Sequence, residues 1–207
     1  MEAHADNVRE ALILQWQRIA AAVPALDLEV ESRISGWRNR EVLAHLAVQP
    51  TLLGRFLETA SADPPRVSLA ANLVGTVFLS DRIDTAARGA GELDLDFAAR
   101  VTRLLPALAA ADLNDTVTTL QGPIALVDYL RTRCIEAVVH GGDFVDPVTA
   151  DEGALLVASG ALLDALAARR PELVPAARSL SPLVWVDQAT GRARPSPPLD
   201  GALPVMA

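Results

Sequence analysis

Apolar residues recur with a helical period along most of the chain. Val8, Ala11, Leu12, Ile19 and Val23, with Gln15 in the same stripe, predict a helix over residues 5–23, closed by Pro24. A second helix follows the loop that ends at Gly36-Trp37. Asn39 is its natural N-cap, with Ser35 as the residue for an earlier start. Its apolar side carries Val42, His45, Leu46, Gln49, Leu53 and Phe56. Pro50 falls inside it, removing a backbone hydrogen bond at a cost of roughly 3 kcal/mol, and predicts a kink or break near residues 46–50.

Ala62 to Ser68, with Pro64-Pro65, reads as a linker, and residues 69–88 as a third helical stretch stopped by Gly89 and Gly91. Asp94 or Asp96 caps the next helix, which runs to Ala111 with Val101, Leu104, Leu105 and Leu108 inward and a bend at Pro106. Val117 to Leu120 is briefly extended. Pro123 suits the first position of a helix over 123–140, ended by Gly141-Gly142. Asp151 to Arg170 forms another helix, acidic at its start and basic at its end, as the helix dipole favours. Leu183 to Asp187, a turn at Gly191, and Arg192 to Arg194 suggest a short hairpin. The tail from Pro195 has no regular pattern. The expected fold class is therefore all-α. A helical bundle over 1–147 precedes a shorter segment over 148–207.

Composition sharpens this picture. Aromatic residues make up only 4% of the chain, and alanine and leucine dominate, which favours helices over sheets. A net charge of −8 argues against a nucleic-acid partner. The single cysteine, Cys134, rules out an internal disulfide and fits a reducing cytoplasm. The first residues show no basic region followed by an apolar run, and no apolar stretch is long enough to span a bilayer, so the expectation is a cytoplasmic protein away from membranes. The apolar helix at 151–170 either caps the bundle or forms a dimer surface, so a monomer and a homodimer are both compatible with the sequence.

The chemistry concentrates in two helices. Glu136 and His140 are four apart, one above the other on a helix that is apolar almost all round. A buried carboxylate and imidazole need compensation, which a divalent metal supplies if a third ligand exists. Of the other histidines, His4 lies near the terminus, whereas His45 sits on the apolar face of its helix. His45, Glu136 and His140 make a three-ligand set. Three protein ligands with one open position are the pattern of a catalytic zinc site, and imidazole also suits nickel or iron. The spacing matches neither the His-Glu-x-x-His zincin motif nor the Glu-x-x-His pair of di-iron bundles. Asp143, three residues after His140, can orient its imidazole. Arg133 is placed either to neutralise Glu136 or to pair with a substrate carboxylate. Arg133 and Asp143 are thus the catalytic candidates beside the ligands. Trp37 is placed either to wall the pocket or to pack in the core.

Gly36-Trp37-Arg-Asn-Arg-Glu-Val42-Leu-Ala-His45-Leu and Leu130-Arg-Thr-Arg133-Cys-Ile-Glu136-Ala-Val-Val-His140-Gly-Gly-Asp143 resemble the two signature segments of the mycothiol-dependent maleylpyruvate isomerase family. The resemblance covers residues 5–146. It implies a DinB-like four-helix bundle, here with an extra helical excursion and a short C-terminal appendage. It implies that His45, Glu136 and His140 hold one divalent metal, usually zinc, and that mycothiol is a cosubstrate. Members with isomerase activity carry a full C-terminal α+β domain. Here that region is shorter, and Arg192 and Arg194 match its catalytic arginine by type alone. Ser32-Arg-Ile-Ser35 stands where the family usually shows a Cys-Pro or similar pair. The function implied is a metal-dependent thiol enzyme, an isomerase or S-transferase, whose partners are a small thiol and an electrophile. Two rival readings are a non-catalytic metal-binding regulatory or interaction module and a bundle in which the three residues form a metal-free hydrogen-bonded cluster.

Overall fold

The computed structural model of the protein describes residues 2–77, 79–91 and 95–205, with side chains in the first stretch from 7 to 75. The side chain of His4 and the capping candidate Asp94 lie outside the described residues. Four helices make the bundle: α1 (Glu2–Ala22), α2 (Asn39–Leu57), α5 (Phe97–Ala110) and α6 (Leu126–Asp143). Two further helices, α3 (Leu69–Val77) and α4 (Ser80–Arg88), form the excursion between α2 and α5. The main core draws from all four bundle helices, with Leu12 and Trp16 of α1, Leu43 and Leu46 of α2, Phe97 and Leu108 of α5, and Leu130 and Cys134 of α6. The structure thus has the all-α bundle that the periodicity predicts.

Beyond the bundle, α7 (Glu152–Arg169) lies against α1 and α6, followed by α8 (Val174–Arg178) and α9 (Pro182–Ala189). Asp151 caps α7 by accepting from the Ala154 amide at 3.2 Å. A second apolar cluster joins these elements to the bundle. It holds Ala158, Leu162 and Trp185 together with Ile135 and Val138 from the outer side of α6. That is why α6 is apolar nearly all round: one side fills the bundle core and another receives α7.

Several sequence expectations change in physically instructive ways. The hairpin expected over 183–194 is absent, and the helix α9 takes its place. Pro182 presets the first helical turn, and Trp185, Val186 and Ala189, all buried, share one helical face toward α7. The Trp185 indole also donates to the Ser159 carbonyl at 3.1 Å. A hairpin occurs earlier, where β1 (Thr116–Thr119) pairs antiparallel with β2 (Gly122–Ala125). Pro123 therefore lies in a strand, and α6 begins at Leu126. The stretch 69–88 divides into two helices because its halves bury on different surfaces: Leu73 of α3 in the second cluster, Ala87 of α4 in the main core.

The caps differ too. Asn39 does not cap α2. Its side chain donates to the Asp27 carbonyl and accepts from the Val145 amide, tying the preceding loop to the end of α6. Arg38 is the N-cap, and Glu41 accepts from its amide at 2.7 Å. Helix α2 continues through the buried Pro50 without a break. Of the two acidic candidates for the start of α5, Asp96 caps it, accepting from Ala99 at 3.1 Å. Gly141 and Gly142 do not end α6. An added Cβ at Gly141 would lie 3.2 Å from Gln15 Nε2, so this glycine permits close approach of α1. The terminal carbonyls of α6 then find tertiary donors: Gly141 accepts from the Val148 amide and Asp143 from the Arg33 amide.

Candidate metal centre

Helices α2 and α6 face each other across the bundle and bring His45, Glu136 and His140 together. One ligand atom from each residue lies within 4.8 Å of the other two. His45 Nε2 is 2.8 Å from Glu136 Oε2, and His140 Nε2 is 3.4 Å from the same oxygen. The two imidazole rings meet edge to face with centroids 4.6 Å apart. The helical spacing of Glu136 and His140 supplies two of the groups on one side. His45 reaches them because its helix turns its apolar face inward.

Asp143 orients the His140 ring. Its Oδ2 lies 2.8 Å from His140 Nδ1. If Nδ1 carries the proton toward that carboxylate, Nε2 is left as a lone-pair nitrogen opposite Glu136 Oε2. Two acceptors facing each other at 3.4 Å require a shared proton or a cation between them. Two imidazole nitrogens and a carboxylate oxygen are a donor set that fits a divalent transition metal. The three side chains are largely enclosed, with 10%, 9% and 15% exposure for His45, Glu136 and His140. Desolvation alone would make such a cluster costly.

The electrostatics express the same competition. Burial raises the Glu136 carboxyl, but hydrogen bonds with His140 and His45 overcome this and hold it well below its usual range. Burial lowers His140, yet the Asp143 and Glu136 carboxylates outweigh it and leave the imidazole above its ordinary value. His45 is lowered by burial and by the neighbouring His140, with Glu136 offsetting only part. Asp143 is raised by burial but held low by His140 and Arg192.

The site opens on one side to a cavity of about 470 Å³. His45, Gln49 and Glu136 contribute to its wall, and Leu52, Phe56 and Ile83 make much of the remainder apolar. Arg133 is also in this wall. Its guanidinium lies over the Tyr129 ring, 4.8 Å from the centroid, and its Nε donates to Thr132 Oγ1 at 3.2 Å. This contact presents a cation beside the candidate ligands without an ion pair to Glu136. Trp37 belongs to the core. Gly36, at φ +76°, turns the chain so that the indole packs 6.0 Å from the His45 ring and donates to Asp84 Oδ1.

Two residues of the site carry roles that sequence reasoning did not assign. Gln49, one turn after His45, donates to Glu136 Oε2 at 3.3 Å and is almost fully buried. The available signal was a second polar residue four positions from His45 on an apolar face. Arg192 grips Asp143 through two contacts, Nη2 to Oδ2 at 2.7 Å and Nε to Oδ1 at 3.2 Å. Residue type alone marks it in the sequence, because nothing local shows which arginine of the C-terminal segment returns to the bundle.

A family model described as the mycothiol maleylpyruvate isomerase N-terminal domain matches residues 10–144. The matched span includes all three metal-ligand candidates and Asp143. Searches among curated proteins and among solved structures returned no match.

Proposed function

The chain belongs to the mycothiol maleylpyruvate isomerase N-terminal domain family, and on that premise we propose that it is a metal-dependent thiol enzyme acting as an isomerase or S-transferase. His45, Glu136 and His140 hold one divalent ion, zinc first among the candidates. The thiol is of the mycothiol type, and the second substrate is an electrophile. The observation that carries this reading is the convergence of three ligand atoms within 4.8 Å at the edge of a cavity of about 470 Å³. The metal, when bound, supplies a position at which a coordinating thiol is kept deprotonated.

The chain's own residues do the rest. Glu136 is oriented by Gln49 and remains anionic despite burial, which suits a ligand rather than an acid catalyst. Asp143 holds the His140 ring in place. Leu52, Phe56 and Ile83 limit water around the reacting groups. Arg133, braced on Tyr129, offers a fork to a carboxylate on the electrophile. Cys134 is not the reacting thiol. It is fully buried, with its thiol pushed up far beyond its usual range by burial. The thiol therefore comes from solution, in keeping with a cytoplasmic enzyme and a small-molecule cosubstrate. No helix among the described residues is long and apolar enough to cross a membrane.

The test is a conjugation and isomerisation assay with zinc-loaded protein, mycothiol and a panel of cis-enoate and other electrophiles. Turnover that disappears in His45→Ala supports the enzyme. Metal binding with no thiol binding and no turnover supports a binding module instead.

A further inference from the structure

The C-terminal segment has no residue among the three ligands, yet it reaches them. Arg192 is placed by two features of its own segment. Gly191 adopts φ +77°, and the Arg192 amide donates to the Asp187 carbonyl at 2.7 Å. Its Nη1 donates to the Thr190 carbonyl at 2.9 Å, which fixes one edge of the guanidinium. Helix α9, which precedes this turn, is anchored in the second apolar cluster by Trp185, Val186 and Ala189. The tail returns to hold it, with the Val205 amide donating to Ala189 and Arg169 donating to the Val205 carbonyl.

The other edge of the guanidinium meets Asp143. That carboxylate is 2% exposed, and both of its oxygens face Arg192. Oδ2 is also the partner of His140 Nδ1. The fork therefore sets the plane of the carboxylate, and the carboxylate sets the plane of the imidazole. Such partners of metal-bound histidines alter metal affinity by about 10–100-fold when removed.

We propose that Arg192 is a positioning residue for the metal centre, acting through Asp143 to aim His140 Nε2 at the ion, so that the folded C-terminal segment determines how tightly the bundle holds metal. This rests on the metal-centre reading above. It makes the segment after residue 148 a functional part of the site, although the family match ends at residue 144.

The test is a zinc titration against a chromophoric chelator, on the full chain, for the wild type, Arg192→Gln, Asp143→Asn, the double variant and Arg194→Gln. Arg192→Gln is expected to bind zinc about 10–100-fold more weakly. The double variant is expected to bind no more weakly than Asp143→Asn alone, since one residue acts through the other. Arg194→Gln, exposed two residues away, is expected to match the wild type. Wild-type affinity in Arg192→Gln, or losses that multiply in the double variant, would overturn the proposal. If Arg192→Gln lacks the helical circular dichroism of the wild type, Arg192→Lys takes its place. Lysine cannot reproduce the fork, so a several-fold loss is expected, and unchanged affinity would overturn the proposal equally. A wild type that binds no zinc would overturn the metal-centre reading itself, which separates the two failures.

Discussion

His45 Nε2 and Glu136 Oε2 stand 2.8 Å apart although 91 positions separate them in the chain. The pair joins α2 to α6 at a largely enclosed polar point of the bundle. Gln49 and His140 complete the same cluster from one turn away on each helix. A polar knot in an apolar core lowers stability unless it is fully compensated, and the three grouped side chains could hold a metal ion that would compensate it.

Metal binding should strengthen with pH. The His140 imidazole lies above its ordinary value in the metal-free site, and the ion competes with that proton for Nε2. A group with a raised folded-state pKa contributes stability that is full below its unfolded value and lost as pH rises through the folded one. The metal-free protein therefore loses the His140 contribution toward alkaline pH, while the lowered His45 works in the opposite sense. Zinc supplies what is lost. The increase in Tm on adding zinc should be clearly larger at pH 7.5 than at pH 5.5, and an equal increase at both would contradict a proton-linked histidine site.

Two adjacent glycines should respond in opposite directions. Gly141→Ala places a Cβ 3.2 Å from Gln15 Nε2, so the buried Gln15 amide, which donates to the Ala137 carbonyl and accepts from the Asp151 amide, must shift by a few tenths of an ångström and strain those bonds. Gly142→Ala meets nothing within 4 Å in the same helix. The second substitution should stabilise by about 0.5–1 kcal/mol through helix propensity alone, while the first should destabilise. Urea midpoints of the two variants decide it.

Cys134 should be chemically silent in the folded protein. It is buried between α6 and α1, and burial pushes its thiol upward. An aromatic disulfide reagent should find no reactive thiol under native conditions and one per chain in guanidinium. Cys134→Ala should retain zinc. Rapid native labelling would reopen the question of which thiol takes part in the chemistry.

Arg133 should matter for the electrophile and not for the metal. Arg133→Ala is expected to lower kcat/KM for a carboxylate-bearing electrophile by about 10–100-fold, the scale of one charge-assisted contact, with zinc content unchanged. Loss of zinc in this variant would instead make Arg133 part of the ligand cluster's support.

How much of this was legible in the sequence follows from which forces were local. The helical period of Val8, Leu12 and Ile19, or of Val101, Leu104 and Leu108, records burial on one face, and it located α1 and α5 within a few residues. The i,i+4 pair Glu136 and His140 is also a local relation, and His45 stood out as an imidazole on an apolar stripe. The errors came where tertiary partners decide. Gly141 looks like a helix stop until α1 packs against it. Asn39 looks like a cap until Asp27 and Val145 claim its side chain. Leu183 to Asp187 has a strand's composition, and Pro182 at the first helical position together with the face offered by α7 makes it a helix. The Arg192 contact with Asp143 spans 49 positions, with no periodicity to mark it.

A metal centre at His45, Glu136 and His140 is put to the test by elemental analysis of the full chain purified without chelator, beside His45→Ala prepared identically. Close to one equivalent of a divalent transition metal, zinc foremost, is expected in the wild type and a small fraction of that in the variant, with both proteins folded. A wild type devoid of transition metal, even after incubation with zinc and desalting, would contradict it.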